Sequence, residues 1–168
     1  MFSEIFKLKE LSAKLGNDLS LIQASGGNTS IKLDGKLFVK ASGKKLKNAL
    51  NEDIFVSLDL IKIRNELAIN KSKKELNFKN ICGSSLRASI ETSLHAIMPY
   101  KVVLHTHSVD TIAITLLSNS YNYLDKLMKD INWKFIPYFK PGITLAKAIS
   151  KEFQDNPNPP NVLVLANH

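Results

Sequence analysis

The spacing of apolar positions near the start of the chain predicts one helix followed by a hairpin. Through residues 3–15 apolar side chains recur every three or four positions, the period of an amphipathic helix, and Gly16 supplies a stop. Two short apolar runs follow at residues 29–33 and 36–41, with Asp34-Gly35 between them. Asp-Gly favours a type I′ turn, because both central positions of that turn need a positive φ. The two strands should therefore be antiparallel.

The rest of the pattern predicts further strands and helices in alternation. Strands are expected at residues 54–58, 101–107, 133–139 and 162–165. Helices are expected over residues 85–98, 109–117 and 143–153. Residues 65–80, rich in Lys and Asn, and the Pro/Asn stretch 155–160 fit neither pattern and are interpreted as connections. Because domain ends are usually polar, the final apolar strand and His168 lead us to expect a single domain over residues 1–168 that lacks its last elements.

Length and composition narrow the class of protein. The 168 residues, 44% of them hydrophobic and 23% charged, suit one α/β domain whose core needs no disulfide. The single cysteine, Cys82, can form no internal bridge. The first residues lack the apolar core of a signal peptide, and no apolar run approaches the roughly 18 residues of a membrane helix. We therefore expect a cytoplasmic protein with no membrane contact.

The net charge of +8 does not by itself indicate a nucleic-acid-binding protein. Nearly all the basic residues are lysine, with arginine only at Arg64 and Arg87. Nucleic-acid readers use arginine forks and aromatic residues set among basic ones, and the sequence lacks that pattern. The lysines near residues 44–47 and 71–74 are interpreted as a solvated surface, with attraction of anionic small molecules as the alternative.

Three of the four histidines suggest a metal site. His105 and His107 alternate at the end of an apolar strand, so both imidazoles face one side, roughly 6.6 Å apart along the strand, and can converge on one ion. His168 ends a second apolar strand and could complete a site of three histidines with an open fourth position. An ordinary pair of core or surface histidines is the competing interpretation.

Two other features could carry chemistry. Glu91 lies on the helix just before the His-x-His strand and could move protons beside a metal, although a lone Glu is more often a surface residue. His95, one helical turn later, is interpreted as structural or as a partner of a metal ligand. The small, hydroxyl-rich turns at residues 25–30 and 41–43 could bind an anion through backbone N–H groups, or could be tight turns only. Neither turn matches a nucleotide-binding fingerprint.

Six short segments occur in an order and spacing that resembles the class II aldolase/adducin family. They are SGGNTSIK, LFVKASG, ASIETSLH, VVLHTHS, IPYFKPG and LANH. The resemblance covers nearly the whole chain and is strongest to the aldolase domain of rhamnulose-1-phosphate aldolase/alcohol dehydrogenase proteins. It implies a three-layer α/β/α domain around a mostly antiparallel central sheet, C-terminally truncated here and usually assembled as a homotetramer.

The same resemblance implies a function and a set of site residues. It implies one Zn²⁺ per subunit held by His105, His107 and His168, with Glu91 as the catalytic acid/base. The residues that it assigns to the substrate phosphate are Gly27, Asn28, Ser42, Gly43 and Ser89. The implied reaction is retro-aldol cleavage of a phosphorylated ketose such as rhamnulose 1-phosphate or fuculose 1-phosphate, with the metal as Lewis acid.

Several alternatives stay open at this stage. A pentulose-phosphate 4-epimerase and a sugar-phosphate dehydratase of the same family use the same residues, and a non-catalytic adducin-like module or an inactive truncated product would keep only the fold. The sequence departs from the family pattern at Lys44-Lys45, where a Thr-type residue is expected, and at Ala88, where proline is usual. In some members a tyrosine of a partner subunit assists protonation, and the candidates here are Tyr121, Tyr123 and Tyr138.

Overall fold

The structure is a computed structural model that describes residues 2–69, 78, 85–154 and 156–168. Its strands are β1 (Asn28–Leu33), β2 (Lys36–Lys40), β3 (Phe55–Asp59), β4 (Val102–His105), β5 (Trp133–Ile136) and β6 (Val162–Leu165). Its helices are α1 (Phe2–Asn17), α2 (Leu60–Ile69), α3 (Thr92–Ile97), α4 (Val109–Thr115), α5 (Ser120–Leu127) and α6 (Ile143–Phe153). One turn of 3-10 helix lies at Leu46–Asn48.

The first four strands form one antiparallel sheet in the order β3-β2-β1-β4. The connection between β1 and β2 is Asp34-Gly35, whose φ angles are 49° and 73°. These positive values are the ones that a type I′ turn requires, so the predicted hairpin is confirmed. Because β4 pairs with β1, His105 lies opposite Asn28.

The last two strands form a separate parallel pair. In β5 and β6, Trp133 lies opposite Val162 and Ile136 lies opposite Leu165. Within the described residues this pair shares no strand pairing with the four-stranded sheet. The predicted mostly antiparallel sheet is confirmed, and the strand that leads to His168 belongs to the second, smaller sheet.

Helices cover both faces of the four-stranded sheet. On one face α2, α3 and α6 pack against alternate residues of β2 and β3, and the buried residues include Leu37, Val39, Val56, Leu58, Ile63, Ala96 and Ile143. On the other face α1 and the 3-10 turn pack against β1, and the buried residues include Leu8, Ala13, Ile31, Leu33 and Leu46. A third cluster joins α3 and α6 to β4 and β5. The result is the predicted three-layer α/β/α arrangement.

Helix α1 comes into backbone contact with the 3-10 turn at Gly16. A Cβ atom at this position would lie 2.1 Å from the backbone nitrogen of Lys47 and 2.6 Å from the carbonyl carbon of Leu46. Gly16 was predicted as the stop of the first helix, but α1 continues to Asn17 and includes it. It permits a close approach that no other residue would allow.

The predicted helix over residues 85–98 is wrong in its first half. Ala88 pairs with Ala41 in an isolated β-bridge, so the backbone is extended there and the helix begins only at Thr92. The bridge joins residues far apart in sequence, and the helical spacing of Leu86 and Ile90 gave no sign of it.

The hydrophobic pattern also missed α2 and α5. Helix α2 overlaps residues 65–80, where frequent Lys and Asn led us to expect a connection, yet its Leu60, Ile63 and Leu67 are buried. The remainder of that segment, with the lysines of residues 71–74, lies outside the described residues apart from Phe78, as does Cys82. No helix was predicted over α5, a short segment in which only Ser120 and Leu124 are buried.

Other boundaries follow the sequence more closely. Helix α6 and strand β6 have the predicted bounds. Strands β4 and β5 end earlier than predicted; β5 stops before Pro137, which has no N–H for a further ladder bond. Among the described residues no helix has the length and apolar character to cross a membrane.

Candidate metal centre and anion pocket

Four side chains that the sequence indicated as chemical candidates lie in one group. Glu91, His105, His107 and His168 each offer one ligand atom, and these atoms lie within 4.8 Å of one another. The Nε2 atom of His105 lies 3.1 Å from Nε2 of His107 and 3.2 Å from Nε2 of His168. It also lies 3.3 Å from Oε1 of Glu91. His105 is therefore the centre of the group.

Separate backbone segments bring these side chains together. His105 ends β4, whose pairing with β1 fixes its position. The backbone N–H of His107 donates to the carbonyl of Leu21 at 2.8 Å, which directs the chain after β4. His168 follows β6 across a turn in which Asn167 has a φ of 50°. The His-x-His pair thus meets a histidine that follows the other sheet, although β4 ends at His105 and His107 lies beyond the strand that was predicted to carry both.

Burial governs the charge of these groups. Burial raises the pKa of Glu91, while His168, His107 and Lys40 nearby oppose that rise. Burial, together with the nearby His107 and Lys40, lowers the pKa of His105 to about 4. Burial also lowers the pKa of His168. Neutral imidazole is the form that binds a metal ion, so near neutral pH His105 and His168 are already in the binding form.

Three of the distances in the group match those between the ligands of a tetrahedral metal ion. Zinc–nitrogen bonds of about 2.0–2.1 Å place neighbouring ligand atoms of a tetrahedral site roughly 3.3 Å apart. The three pairs that involve His105 lie at 3.1, 3.2 and 3.3 Å. Three imidazoles and a carboxylate also form a donor set that suits zinc. The group therefore has the composition and spacing to hold one divalent cation, with Glu91 as a fourth donor beside the three histidines.

The remaining histidine, His95, lies outside this group. It is 0% exposed, and its Nδ1 lies 2.7 Å from the hydroxyl of Ser30 on β1. Its Nε2 has no hydrogen-bond partner in the described part of the chain. Burial lowers the pKa of His95 well below its usual value. His95 is therefore a neutral core residue, in line with its structural interpretation.

Both hydroxyl-rich turns and the segment before α3 line one cavity of about 500 Å³. The five residues that the resemblance assigned to a phosphate all line it: Gly27, Asn28, Ser42, Gly43 and Ser89. Glu91 and His107 line the same cavity, which therefore adjoins the group of metal-ligand candidates.

Comparison with known proteins identifies the family. The family model for the Class II Aldolase and Adducin N-terminal domain matches residues 7–168 of the chain. The chain belongs to this family. The match includes both turns of the cavity, Glu91 and the three clustered histidines.

Two curated relatives and one solved structure resemble this aldolase/adducin domain. "Uncharacterized oxidoreductase YuxG" of Bacillus subtilis (strain 168) is 32% identical over 164 residues, which are 89% of this chain and 24% of that protein. "Probable methylthioribulose-1-phosphate dehydratase" of Dictyostelium discoideum is 27% identical over 126 residues, 70% of this chain and 51% of that protein. The chain thus spans about a quarter and about half of these relatives. The N-terminal class II aldolase domain of a conserved Thermoplasma acidophilum protein has a TM-score of 0.81 and 28% identity, covering 98% of this chain and 81% of that one.

Within this aldolase/adducin domain, hydrogen bonds tie the residues of the cavity to one another. Asn28 is only 1% exposed; its Nδ2 donates to the hydroxyl of Ser89 at 2.8 Å, and its Oδ1 accepts from the backbone N–H of Lys40 at 3.2 Å. The backbone N–H of Ser42 donates to the carbonyl of Arg87 at 2.9 Å. Asn28 therefore joins the two walls of the cavity, and Ser42 retains only its hydroxyl as a donor for a ligand.

Two glycines of the cavity have a left-handed backbone. Gly27 and Gly43 have φ angles of 65° and 74°, which favour glycine. Their N–H groups donate to no acceptor in the described ranges and can therefore face an anion. At Gly27 a Cβ atom would also lie 2.9 Å from the carbonyl oxygen of His105, so the turn packs directly against the metal group.

Two cations that line the cavity were not among the predicted site residues. Lys40 ends β2 and is 3% exposed, and its ammonium donates to the carbonyls of Ser25 and Lys44, each at 2.9 Å. Burial lowers the pKa of Lys40, and the carboxylate of Glu91 opposes this. The sequence did contain a signal for Lys40, namely a lysine within the apolar run of β2. Charged residues are rarely buried in a strand unless they are paired. The second cation, Arg87, gave no such signal.

The departures from the family pattern have local explanations. Ala88, where proline is usual, forms the β-bridge to Ala41. Lys44 pairs with Glu52 at 3.1 Å through its side chain, while its carbonyl accepts from Lys40. The three tyrosines with a possible role in protonation are each 50% or more exposed, and none lines the cavity: Tyr121, Tyr123 and Tyr138.

Proposed function

We propose that this domain is a zinc-dependent aldolase that cleaves a phosphorylated ketose. The observation that carries the proposal is the adjacency of two sites: four metal-ligand candidates lie within 4.8 Å of one another, and two of them, Glu91 and His107, line the cavity of the hydroxyl-rich turns. A retro-aldol enzyme for a sugar phosphate needs this combination, because the bond that breaks lies a few atoms from the phosphate.

In this proposal three imidazoles hold the metal and the turns hold the phosphate. His105, His107 and His168 are the ligands of one Zn²⁺ per subunit, and a bound zinc ion would supply Lewis-acid polarisation of the ketose oxygens. The N–H groups of Gly27 and Gly43 and the hydroxyls of Ser42 and Ser89 would donate to the phosphate, with Asn28 orienting Ser89.

Glu91 is proposed as the acid/base. Retro-aldol cleavage of the C3–C4 bond requires loss of the proton from the C4 hydroxyl and later protonation of C3, and one carboxyl group can take up the first proton and return it. Glu91 lies beside the metal group and lines the cavity, and burial raises its pKa towards the range in which it can do both. A carboxylate in the same position can also act as a fourth ligand before substrate binds.

A dehydratase is the second candidate. The Dictyostelium relative is named as a probable methylthioribulose-1-phosphate dehydratase, and it matches 70% of this chain. Elimination of water from a ketose phosphate also needs an acid/base group and a polarised oxygen beside a phosphate site. We keep the aldolase as the first candidate, with rhamnulose 1-phosphate or fuculose 1-phosphate as its substrate. We further propose that the enzyme is a homotetramer and that it acts in the cytoplasm.

The experiment is an activity panel on zinc-reconstituted and chelated protein. Ketose 1-phosphates and pentulose 5-phosphates are incubated with each form, and products are identified by mass and NMR. An aldolase yields two shorter fragments, a dehydratase a product lighter by one water, and an epimerase an isomer. Zinc uptake below a tenth of an equivalent, or equal turnover by the chelated protein, contradicts the proposal. Full zinc uptake without any product favours a non-catalytic, adducin-like role.

A further inference from the structure

Arg87 lines the cavity beside the predicted phosphate-binding residues and carries a charge that no carboxylate of the described residues neutralises. It is exposed at the rim of the cavity, in contrast to the buried Lys40. In the described part of the chain no carboxylate forms an ion pair with Arg87, whereas Lys44 nearby is paired with Glu52. A guanidinium without a counterion at the rim of a cavity is available to an anionic ligand.

The backbone around Arg87 is fixed to the opposite turn. Its carbonyl accepts the N–H of Ser42 at 2.9 Å, and the next residue, Ala88, forms the β-bridge to Ala41. The segment therefore lies against the turn at residues 41–43 through one isolated β-bridge and one further backbone hydrogen bond. This pairing fixes the origin of the side chain, so the guanidinium does not depend on a mobile loop for its place.

The side chain of Arg87 reaches the hydroxyl of Ser42. Its Nη2 donates to Oγ of Ser42 across 3.5 Å, a long bond that leaves the other N–H groups of the guanidinium without a partner among the described residues. Because Ser42 accepts this bond, its own hydroxyl proton remains to be donated to a ligand. Arg87 and Ser42 can then bind one anion together, the guanidinium with two parallel bonds and the hydroxyl with a third.

The charges of the cavity match those of a phosphate monoester. Among the described residues that line it, Lys40 and Arg87 are the lysine and arginine, and Glu91 is the carboxylate at the end that adjoins the metal group. A phosphate monoester carries about −1.5 to −2 charges at pH 7, whereas a carboxylate carries about −1. Because Coulomb attraction is proportional to the charge of the ligand, each cation attracts a dianion about twice as strongly as a monoanion at the same distance.

We propose that Arg87 is a specificity-determining residue that closes over the substrate phosphate and selects dianionic phosphate monoesters over carboxylates and unphosphorylated ketoses. This inference rests on the proposed function in one respect, that the cavity takes the phosphate of the substrate. Arg87 touches the group that is recognised and not the bond that breaks, so it should govern KM and leave kcat nearly unchanged.

A binding experiment without turnover tests the role of Arg87. Zinc-loaded protein is titrated by calorimetry with glycerol 1-phosphate, a phosphate monoester without a carbonyl group, and with propionate as the monoanionic comparison. Arg87→Gln should weaken binding of glycerol 1-phosphate by roughly 10- to 100-fold, the range for hydrogen bonds to charged groups. Its binding of propionate should change less than about 3-fold. Arg87→Lys should bind glycerol 1-phosphate with an affinity between those of the original protein and Arg87→Gln, because an ammonium keeps the charge but lacks the bidentate geometry of a guanidinium.

The matched control is Lys45→Gln, which removes one positive charge from an exposed position near the same turn but outside the lining of the cavity. It should weaken binding of glycerol 1-phosphate less than about 3-fold, the modest effect expected for a screened surface charge. Equal weakening in Arg87→Gln and Lys45→Gln overturns the inference, because only the overall charge would then matter. Unchanged binding in Arg87→Gln, with an unchanged unfolding midpoint, also overturns it.

The outcome separates this inference from the proposed reaction. If no ketose phosphate is turned over but binding of glycerol 1-phosphate depends on Arg87, the reaction is wrong and the specificity stands. If cleavage occurs and Arg87→Gln leaves KM for the phosphorylated ketose unchanged, the specificity is wrong and the reaction stands. The expected result is a rise in KM of at least 10-fold with kcat within about 3-fold of the original value.

Discussion

The Nε2 atoms of His105 and His168 lie 3.2 Å apart, although 63 residues separate them in sequence and their strands belong to different sheets. A metal ion held by both would therefore connect the four-stranded sheet to the β5-β6 pair. Since a ligand that binds only the folded state stabilises it, zinc should raise the unfolding temperature as well as support activity.

This connection predicts a zinc-dependent gain in stability that requires His168. Zinc at about 100 times its Kd should add about 2.7 kcal/mol to the free energy of unfolding, which is about 5–10 °C in a domain of this size. His168→Gln should lose most of this gain, while its metal-free form unfolds near the original temperature. The measurement is thermal unfolding of chelated protein with and without added zinc.

His95→Gln is the matched control for the zinc experiment. His95 is buried outside the metal group, so this change should lower the unfolding temperature of both forms and leave the zinc-dependent gain in place. A full zinc-dependent gain in His168→Gln would show that His168 takes no part in the site.

Glu91→Gln should separate proton transfer from metal binding. The amide keeps the size of the side chain but cannot carry the proton, so kcat should fall by about 100-fold or more. Three imidazoles remain, and zinc content should stay close to that of the original protein. Turnover on the ketose phosphate and metal analysis are measured on the same preparation. Glu52→Gln, at an exposed residue paired with Lys44, should leave both unchanged. Undiminished turnover in Glu91→Gln would assign the acid/base role elsewhere.

Gly16→Ala should destabilise the fold because of a backbone contact. The added Cβ would meet backbone atoms of Lys47 and Leu46 at 2.1 and 2.6 Å, so α1 would have to move away from the 3-10 turn, at a cost of about 2–3 kcal/mol. Gly35→Ala is the comparison: its φ of 73° is unfavourable for alanine, yet nothing lies within 4 Å of the added atom, so about 1 kcal/mol is expected. Urea unfolding measures the free energy of unfolding of both variants. An equal loss in the two variants would mean that packing at Gly16 is looser than the distances imply.

Local signals in the sequence predicted the elements that depend on neighbouring residues. Asp34-Gly35 specified its hairpin because the turn needs only those two positions, and the apolar period of residues 143–153 gave α6 with its bounds. The His-x-His spacing was also a local signal, although β4 ends at His105 and the position of His107 depends on the hydrogen bond from its N–H to Leu21.

What the sequence could not show depends on contacts between distant segments. The extended backbone at Ala88 arises from pairing with Ala41, which overrides the helical spacing of the surrounding apolar residues. The burial of Lys40 is stabilised by the carbonyls of Ser25 and Lys44, and no pattern within β2 reveals those partners. Side chains whose placement depends on such partners, such as Lys40, were therefore not predicted, whereas the grouping of Glu91 with three histidines was expected from their residue types.

Lys40→Met should raise KM for the phosphorylated substrate by about 10-fold or more and change kcat less. Methionine keeps the buried stem but removes the ammonium, which both attracts an anion and joins the turns through Ser25 and Lys44. The free energy of unfolding should change by only about 1 kcal/mol, because loss of two hydrogen bonds is offset by relief of a buried charge. Lys40→Arg keeps the charge, so its KM should lie between those of the original protein and Lys40→Met.

Lys36→Met provides the control for Lys40→Met, since it removes the same charge from the opposite end of β2, away from the cavity. KM should then rise less than about 2-fold, because a charge at that distance from the cavity is largely screened by salt. Steady-state kinetics at fixed ionic strength give both constants. If Lys36→Met and Lys40→Met raise KM alike, the effect of Lys40 reflects net charge and not its place between the two turns; if Lys40→Met leaves KM unchanged, the ammonium acts only on the fold.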